Sequence, residues 1–307
     1  MYRCKSPILL IGFNRPDYMV ETLNSLRKVT PEKIYFAVDG PRHAGEQQKV
    51  TDTQECVKLI DWECEIKTLF RGKNLGCKHG VASAIDWVFK EEDFAIIVED
   101  DIIARPEFFQ MCDILNTKYA QNDRIYMISG TNYLPDPKHV NSYVYTQNFT
   151  IWGWATWKRC WKDYDVHMSG WDSPEIQTKI RVNSPSWFQW QYWKRTLNNL
   201  NSNYMDTWDI QWVYHCIRNS GLAVTPTTNL VTNIGVDGVH SNTQTDSHYM
   251  DTQPLDLKKG GPADYLVDAY YDRAIVKKKY VKLILLDCIK APLRPVYKKL
   301  MTYFGTK

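Results

Sequence analysis

Three consecutive acids, Glu99-Asp100-Asp101, directly follow the apolar segment Phe94–Val98. Carboxylates this close repel one another, and each raises the pKa of its neighbours unless a cation or a positive side chain compensates. Mg²⁺ and Mn²⁺ prefer oxygen ligands and usually complete their shells with water and phosphate oxygens. The pattern therefore predicts a site for a divalent metal and a diphosphate. The alternative is a solvated acidic turn in which Asp101 caps a helix over Arg105–Tyr119.

Two other polar residues follow apolar segments and are candidate ligand contacts. Asp39, in Val38-Asp39-Gly40-Pro41, could accept hydrogen bonds from a base or a ribose. An Asp before Gly-Pro is equally typical of a residue that initiates a turn. Arg15 could contact a diphosphate, or it could form an ordinary salt bridge. The residues alone leave both alternatives open.

Asp209 lies beside two tryptophans, Trp208 and Trp212, that share one face of a predicted helix. An acid in such aromatic, partly dry surroundings can have a raised pKa, which suits a general base. The alternative is an Asp in the first turn, favoured by the helix dipole. His240, in a polar loop, could ligate a metal or contact a phosphate, although a lone histidine in a loop more often does neither.

Ten of the twelve tryptophans lie between residues 152 and 212. Indole rings can stack against the C–H face of a sugar, so Trp152, Trp154 and Trp208 are candidate contacts for a saccharide acceptor. A cluster of this kind is also what a buried core looks like. We expect most of these rings to pack inside and two or three to touch a ligand.

The first half of the chain alternates strand-like and helix-like segments, which predicts an α/β fold with a parallel sheet covered on both faces. The predicted strands are Pro7–Phe13, Lys33–Val38, Glu65–Phe70 and Phe94–Val98. The predicted helices are Asp17–Val29, Gln47–Asp61, His79–Lys90, Arg105–Tyr119, Ser186–Asn198 and Asp206–Asn219, and Leu222–Ile234 is predicted to be extended. Ligands of such sheets bind at the carboxyl ends of the strands, where the acids and Arg15 lie.

We predict one mixed α/β unit in two halves with a basic tail. Residues 1–135 form the nucleotide-binding half, 136–250 the aromatic, acceptor-binding half, and 251–307 the tail. The chain has a formal net charge of +3, yet residues 273–307 hold ten Lys or Arg and one acid. Because apolar residues alternate with these bases, we expect the segment to bind anionic lipids. The alternative is a helix packed on the body with a solvated basic face.

The remaining composition narrows the location and the partners. The longest apolar runs are far shorter than the roughly 20 residues that span a bilayer. The cysteines are scattered without CxxC spacing, which is typical of a reducing cytoplasm. We therefore expect a cytoplasmic protein, attached peripherally to the inner face of the plasma membrane through its tail. We expect no nucleic-acid partner despite the basic charge.

Four segments resemble the GT-A fold nucleotide-sugar glycosyltransferases, above all the N-acetylglucosaminyltransferase I group with its Glu-Asp-Asp version of the DxD motif. These segments are Ile8–Pro16, Phe36–Gly40, Ile97–Phe109 and Tyr126–Asn132. The run Trp152–Trp157 (WGWATW) also resembles bacterial sugar transferases of polysaccharide synthesis. The resemblance implies a GT-A, Rossmann-like fold and a metal-dependent, inverting transfer of a GlcNAc-type sugar or another hexose from a UDP-sugar.

The resemblance also implies roles for single residues. Asp101 would coordinate Mn²⁺ or Mg²⁺, and His240 matches the C-terminal histidine that many of these enzymes carry. Glu99 and Asp100 would contact the ribose and sugar of the donor. Asp39 would hold the uracil base.

On the acceptor side, the resemblance implies that Asp209 is the general base, although Trp208-Asp209-Ile210-Gln211 lacks a second adjacent acid. On the donor side, Arg15 would contact the nucleotide or the phosphates. The chain has no apolar stem, so a bacterial surface polysaccharide or a lipid-linked saccharide is the expected acceptor.

Two other function classes remain as alternatives. A sugar-phosphate nucleotidyltransferase would have a similar sheet and acidic site, but it usually needs a glycine-rich loop where this chain has Asn14-Arg15-Pro16. A carbohydrate-binding protein would explain the tryptophans but would leave Glu99-Asp100-Asp101 without a task. The sequence contains no P-loop, no GxGxxG after the first strand, no HExxH and no GxSxG.

Overall fold

The computed structural model describes residues 2–202, 205–235 and 250–281. Its strands are β1 (Ile8–Gly12), β2 (Lys33–Val38), β3 (Glu65–Phe70), β4 (Phe94–Glu99), β5 (Ile102–Ala104), β6 (Ile125–Ser129), β7 (Tyr143–Thr146), β8 (Trp154–Trp157), β9 (Leu222–Pro226) and β10 (Val231–Asn233). Its α-helices are α1 (Pro16–Arg27), α2 (Gln47–Glu55), α3 (Gly76–Val88), α4 (Pro106–Tyr119), α5 (Lys158–Trp161), α6 (Pro174–Val182), α7 (Trp187–Ser202), α8 (Asp209–Arg218) and α9 (Ala269–Ile275). A π-helix, Val276–Val281, continues α9.

Eight strands form one mostly parallel sheet in the order β3-β2-β1-β4-β8-β6-β9-β7. Strands β1 to β4 run parallel, which confirms the α/β fold expected from the alternating first half. Every residue of β1 is buried, as are the first five of β4, because helices cover both faces of the sheet. The two strands pair in register from Ile8–Ile96 to Ile11–Glu99, so their carboxyl ends lie side by side.

The second half of the chain extends the same sheet. Strand β8 lies antiparallel between β4 and β6, and β9 pairs with β6 in parallel and with β7 antiparallel. The extended stretch Leu222–Ile234 divides into two strands, and the second, β10, leaves the large sheet to pair with β5. That departure brings β10 beside the residues that follow β4.

Most of the tryptophan cluster is core, and this corrects two of the predicted sugar contacts. Trp154 and Trp208 are 1% and 2% exposed and stack on each other with ring centroids 5.5 Å apart. Trp212 lies 5.4 Å from Trp154 and 5.2 Å from Trp161. Because Trp154 and Trp208 are enclosed by other rings and by the sheet, neither offers a face to a saccharide.

The C-terminal segment packs on the body as far as the structure describes it. Asp268 caps α9 by accepting a hydrogen bond from the Tyr271 amide at 2.8 Å, and Tyr271 is buried. Asp272 is also buried and accepts hydrogen bonds from the Gln147 amide at 3.1 Å and from Asn148 Nδ2 at 2.8 Å, as well as from the Thr146 hydroxyl. The helical part up to residue 281 thus packs on the body, and binding of the segment to anionic lipids stays a prediction. The predicted lipid-binding residues 282–307 lie outside the described residues.

No helix in the described ranges is long and apolar enough to cross a bilayer.

We expect Asp272→Ala to lower the free energy of unfolding by about 1–3 kcal/mol, because it leaves buried donors on β7 and the following loop without their acceptor. Chemical denaturation measures this loss. The exposed Asp264→Ala is the matched control, and its effect should stay within about 0.5 kcal/mol. Equal stability of the two variants would show that the carboxylate does not anchor α9.

Candidate functional site

The candidate site lies at the carboxyl ends of β1 and β4. Glu99 is the last residue of β4, and the chain then turns through Asp100 and Asp101 into β5. Arg15 follows β1 and immediately precedes α1, which begins with a proline at Pro16. Since Ile11 of β1 pairs with Glu99 of β4, the parallel register itself brings the arginine to the acids.

Arg15 compensates two of the three acids directly. Its guanidinium forms ion pairs with the carboxylates of Asp100 and Asp101, the latter at 3.0 Å between Nη1 and Oδ2. Burial alone would lower the pKa of Arg15, but the two carboxylates outweigh it and raise that pKa further above its ordinary value. The salt bridge left open as an alternative is therefore present. Contact between Arg15 and a donor stays a prediction.

Asp100 is a structural residue, which corrects its predicted contact with the donor. It is 2% exposed, and its carboxylate faces the Arg15 guanidinium. Its backbone carbonyl accepts a hydrogen bond from the buried Thr22 hydroxyl of α1 at 2.7 Å. Burial raises the pKa of Asp100 to about 6, even though Arg15 opposes the shift. No oxygen of this side chain is left open to a ligand from solvent.

Glu99 differs from its neighbour because it is partly exposed and forms no ion pair with Arg15 in the described part of the chain. Burial, followed by the charges of Asp101 and Asp100, raises its pKa to about 8, and Asp209 adds to the shift. Arg15 acts in the opposite direction but does not cancel them. The single guanidinium of Arg15 thus compensates a group of four acids, namely Glu99, Asp100, Asp101 and Asp209. This edge of the sheet therefore keeps a net negative charge.

Strand β10 fixes Asp101. The Ile234 amide donates to the Asp101 carbonyl at 2.9 Å, and Asn233 Nδ2 lies 3.5 Å from Asp101 Oδ1. The Gly235 amide in turn donates to Asn233 Oδ1 at 2.7 Å. A Cβ at Gly235 would collide with Asp101 Oδ2 and approach Arg15 Nη1, so only glycine fits there without moving the carboxylate.

Asp209 approaches the strand-end acids from the other half of the chain. It is the first residue of α8 and is partly exposed, and its Oδ1 accepts a hydrogen bond from the Thr207 hydroxyl. The Gln211 side chain donates to the Thr207 carbonyl at 2.6 Å and so ties the preceding loop to the helix. The charge of Asp209 acts on Glu99, and the role of Asp209 as a general base stays a prediction.

Asp39 lies at the end of β2, and its carboxylate is occupied by backbone amides. It accepts from the Leu75 amide at 2.9 Å and from the Gly40 amide at 3.0 Å, where α3 is about to begin. Burial raises its pKa, while these amides and the charge of Arg71 oppose the shift. The turn-forming role is thus observed, and recognition of a uracil base by Asp39 stays a prediction.

Two further residues near these acids, Cys77 and Asp206, were not predicted from the sequence. The thiol of Cys77 lies near Glu99, Asp206 and Asp209, and its pKa is raised first by burial and then by these three charges. Asp206 accepts from the Cys77 amide at 2.9 Å and the Lys78 amide at 2.8 Å, so it caps α3 from far along the chain. No local pattern signals this, because the cap and the helix are 129 residues apart.

Of the predicted sugar contacts, Trp152 alone remains partly exposed. Its ring centroid lies 6.2 Å from that of Tyr133, whose pKa burial raises to about 12. A separate cavity of about 230 Å³ opens between the start of α3 and α8, with Lys78 and Gln211 among its lining residues. None of the predicted site residues lines that cavity.

The oxygen-rich set of side chains suits Mn²⁺ or Mg²⁺, with Asp101 and Glu99 as the partly exposed donors. Across the ranges that the structure describes, no group of three or more His, Cys, Asp or Glu side chains is placed to hold an ion. Such an ion is commonly held by one or two carboxylates together with substrate phosphates and water. The residues fit that kind of site and not a cage made by protein alone. His240, the other predicted ligand, lies outside the described residues.

No protein-family model matches the sequence, and no curated protein matches it. Several solved structures are similar to parts of it. TarS from S. aureus is 13% identical, with a TM-score of 0.34 over 52% of this chain and 48% of that one, so the chain covers about half of its length. The inositol-1-phosphate CTP transferase from T. maritima is 12% identical, with a TM-score of 0.41 over 80% and 94%. A UDP-glucose pyrophosphorylase complexed with UDP-glucose is 7% identical, with a TM-score of 0.34 over 74% and 90%. These likenesses are too distant to carry an argument about activity.

Proposed function

We propose that this chain is a metal-dependent, inverting glycosyltransferase that moves a GlcNAc-type sugar or another hexose from a UDP-sugar to a saccharide acceptor. The observation that carries the proposal is the grouping of Glu99 and Asp101 with Arg15 at the carboxyl edge of parallel strands, where the charge of Asp209 also acts on Glu99. The strand-end acids and Asp209 come from opposite halves of the chain. A donor bound by one half would therefore meet an acid from the other.

The charge balance of this edge favours a cation together with a diphosphate. A diphosphate alone would be repelled by the uncompensated carboxylates, since Arg15 is already paired with Asp100 and Asp101. The raised pKa of Glu99 shows that this surplus of negative charge is costly in the absence of a cation. A divalent ion reduces that cost and attracts phosphate oxygens at the same time.

In this proposal Asp101 holds the metal, and Glu99 contacts the donor sugar. A bound Mn²⁺ or Mg²⁺ would neutralise negative charge on the departing UDP. Strand β10 keeps the Asp101 carboxylate in position through Asn233 and through the missing side chain of Gly235. Asp39 lies at the neighbouring strand end, where we place the base of the nucleotide.

Asp209 is the proposed general base. The acceptor hydroxyl would lose its proton to the Asp209 carboxylate as the oxygen bonds to the anomeric carbon. The bond from that carbon to the diphosphate oxygen breaks on the opposite face, and its electron pair leaves with UDP. The hydrogen bond from the Thr207 hydroxyl orients the carboxylate and leaves its other oxygen for the acceptor.

The acceptor would lie against the second half of the chain, where Trp152 is partly exposed. A surface polysaccharide or a lipid-linked saccharide is the proposed acceptor. A lipid-linked acceptor would suit an attachment of residues 273–307 to the cytoplasmic face of the membrane, which we also retain as a proposal.

We expect Asp101→Asn to remove most metal-dependent binding of UDP and to lower turnover by about a hundredfold or more. The measurement is thermal stabilisation by UDP with and without Mn²⁺, alongside GDP and CDP to identify the base, and hydrolysis of candidate UDP-sugars. The exposed Asp123→Asn is the matched control. Wild-type behaviour of Asp101→Asn in both assays would show that this carboxylate holds no metal.

We expect Asp209→Asn to lower kcat by about 10²–10⁴-fold, because an amide cannot accept the proton of the acceptor hydroxyl. Binding of UDP with Mn²⁺ should change little, since Asp209 contacts the acceptor and not the diphosphate. Separate measurements of UDP affinity and of sugar transfer distinguish these effects, and Asp163→Asn on the surface serves as the control. Transfer at the wild-type rate would eliminate Asp209 as the base.

The pKa of Glu99 predicts a pH dependence of stability. Folding raises this pKa from 4.5 to about 8, so the native state holds the proton more tightly than the unfolded chain does. The stability linked to that proton is fully present below about pH 4.5 and is lost as the pH rises through about 8. We therefore expect wild type to lose stability relative to Glu99→Gln between pH 5 and pH 9.

Chemical denaturation of the two proteins across that pH range measures the divergence. The exposed Glu175→Gln is the control and should run parallel to wild type. Mn²⁺ together with UDP should reduce the wild-type loss, since the cation replaces the proton. Parallel pH profiles for wild type and Glu99→Gln would contradict the crowding of negative charge at this edge.

A further inference from the structure

Lys279 is turned toward the aromatic side chains of the protein body. Its Nζ lies 5.4 Å from the centroid of the Tyr133 ring and 5.6 Å from that of Tyr280. Lys277 and Lys278, its neighbours on the π-helix, are exposed. These cation–π contacts hold the Lys279 ammonium against the rings of Tyr133 and Tyr280 and partly shield it from water.

The surroundings of this ammonium are poor in negative charge within the described residues. In the described part of the chain Lys279 forms no ion pair, and the carboxylate whose charge acts on it is that of Asp209. Burial lowers the pKa of Lys279, and Asp209 offsets only part of that shift. A partly buried charge is costly unless an anion compensates it. An anion bound beside the Lys279 ammonium would therefore gain an ion-pair partner.

The charge of Asp209 links the place beside Lys279 to the strand-end acids, because it acts on both Glu99 and Lys279. If Asp209 is the base, it faces the acceptor hydroxyl, so a charged group of the acceptor could approach Lys279.

Further aromatic rings lie near the same place. Tyr133, which contacts Lys279, has its ring centroid 6.2 Å from that of the partly exposed Trp152. Tyr192 packs on Tyr280 with the ring centroids 5.1 Å apart. Rings that stack on the C–H face of a sugar, next to one cation, are suited to a sugar that carries a negative group.

We propose that Lys279, Tyr133 and Trp152 form an acceptor subsite for an acidic saccharide, one that bears a carboxylate or a phosphate. This inference rests on the proposed function, because it takes Asp209 as the group that faces the acceptor hydroxyl. It restricts the proposed acceptor to anionic saccharides. It also assigns the π-helix after α9 a role in substrate selection.

Binding of small saccharide probes to the full chain tests the subsite. Saturation-transfer NMR or calorimetry would compare D-glucuronate and D-glucose 6-phosphate with D-glucose, for wild type, Lys279→Met, Lys279→Arg and Lys277→Met. We expect wild type to bind at least one anionic probe about tenfold more tightly than glucose, a difference of about 1.4 kcal/mol. Lys279→Met should abolish this preference, whereas Lys279→Arg and the exposed control Lys277→Met should retain it.

The two anionic probes also separate a carboxylate from a phosphate as the favoured group. A wild type without preference for either anion, or a preference that survives in Lys279→Met, would overturn the subsite. UDP binding with Mn²⁺ is measured on the same proteins. If Lys279→Met weakened UDP binding and left the saccharide preference intact, the anion would be the donor's diphosphate and the inference would be wrong.

The same UDP measurement keeps this inference separate from the proposed function. A wild type that preferred the anionic sugars through Lys279 but did not bind UDP would support the subsite and contradict the nucleotide-sugar donor.

Discussion

The pairing of Arg15 with Asp100 and Asp101 is the interaction on which the candidate site depends. Three acids, Glu99, Asp100 and Asp101, occupy the end of β4 and the turn after it, beside the apolar strand β1. The guanidinium of Arg15, which follows β1, compensates two of them. The parallel register of β1 and β4 makes that contact possible. Compensation is incomplete, so Glu99 remains with a raised pKa and the edge stays negative.

The sequence predicted the first half of the fold well, because its elements have strong local signals. Strands β2 and β3 begin and end at the predicted residues, and turn residues such as Asp39-Gly40-Pro41 mark their ends. The same reasoning could not separate core tryptophans from exposed ones. Burial of Trp154 and Trp208 depends on which rings meet across the sheet, and residue type alone does not contain that information.

The sequence singled out the strand-end acids and Asp209 as candidates, because the acids follow a recognisable strand and Asp209 begins a recognisable helix, but it missed what surrounds them. Lys279 was read as part of a basic tail, yet it lies against Tyr133, which precedes it by more than a hundred residues. Gly235 directly follows the predicted extended stretch and drew no prediction of its own, yet its missing side chain makes room for Asp101. Such contacts follow from the tertiary path of β10 and α9 and have no periodicity of their own.

The central claim is that the acids at the end of β4 bind a divalent cation together with a nucleoside diphosphate. Electron paramagnetic resonance of Mn²⁺ tests it most directly, because the sharp signal of the hydrated ion is lost when protein and nucleotide bind it. The account predicts that UDP and this protein together capture about one Mn²⁺ per chain, well beyond what UDP captures alone. The same free Mn²⁺ signal with and without the protein would contradict the account.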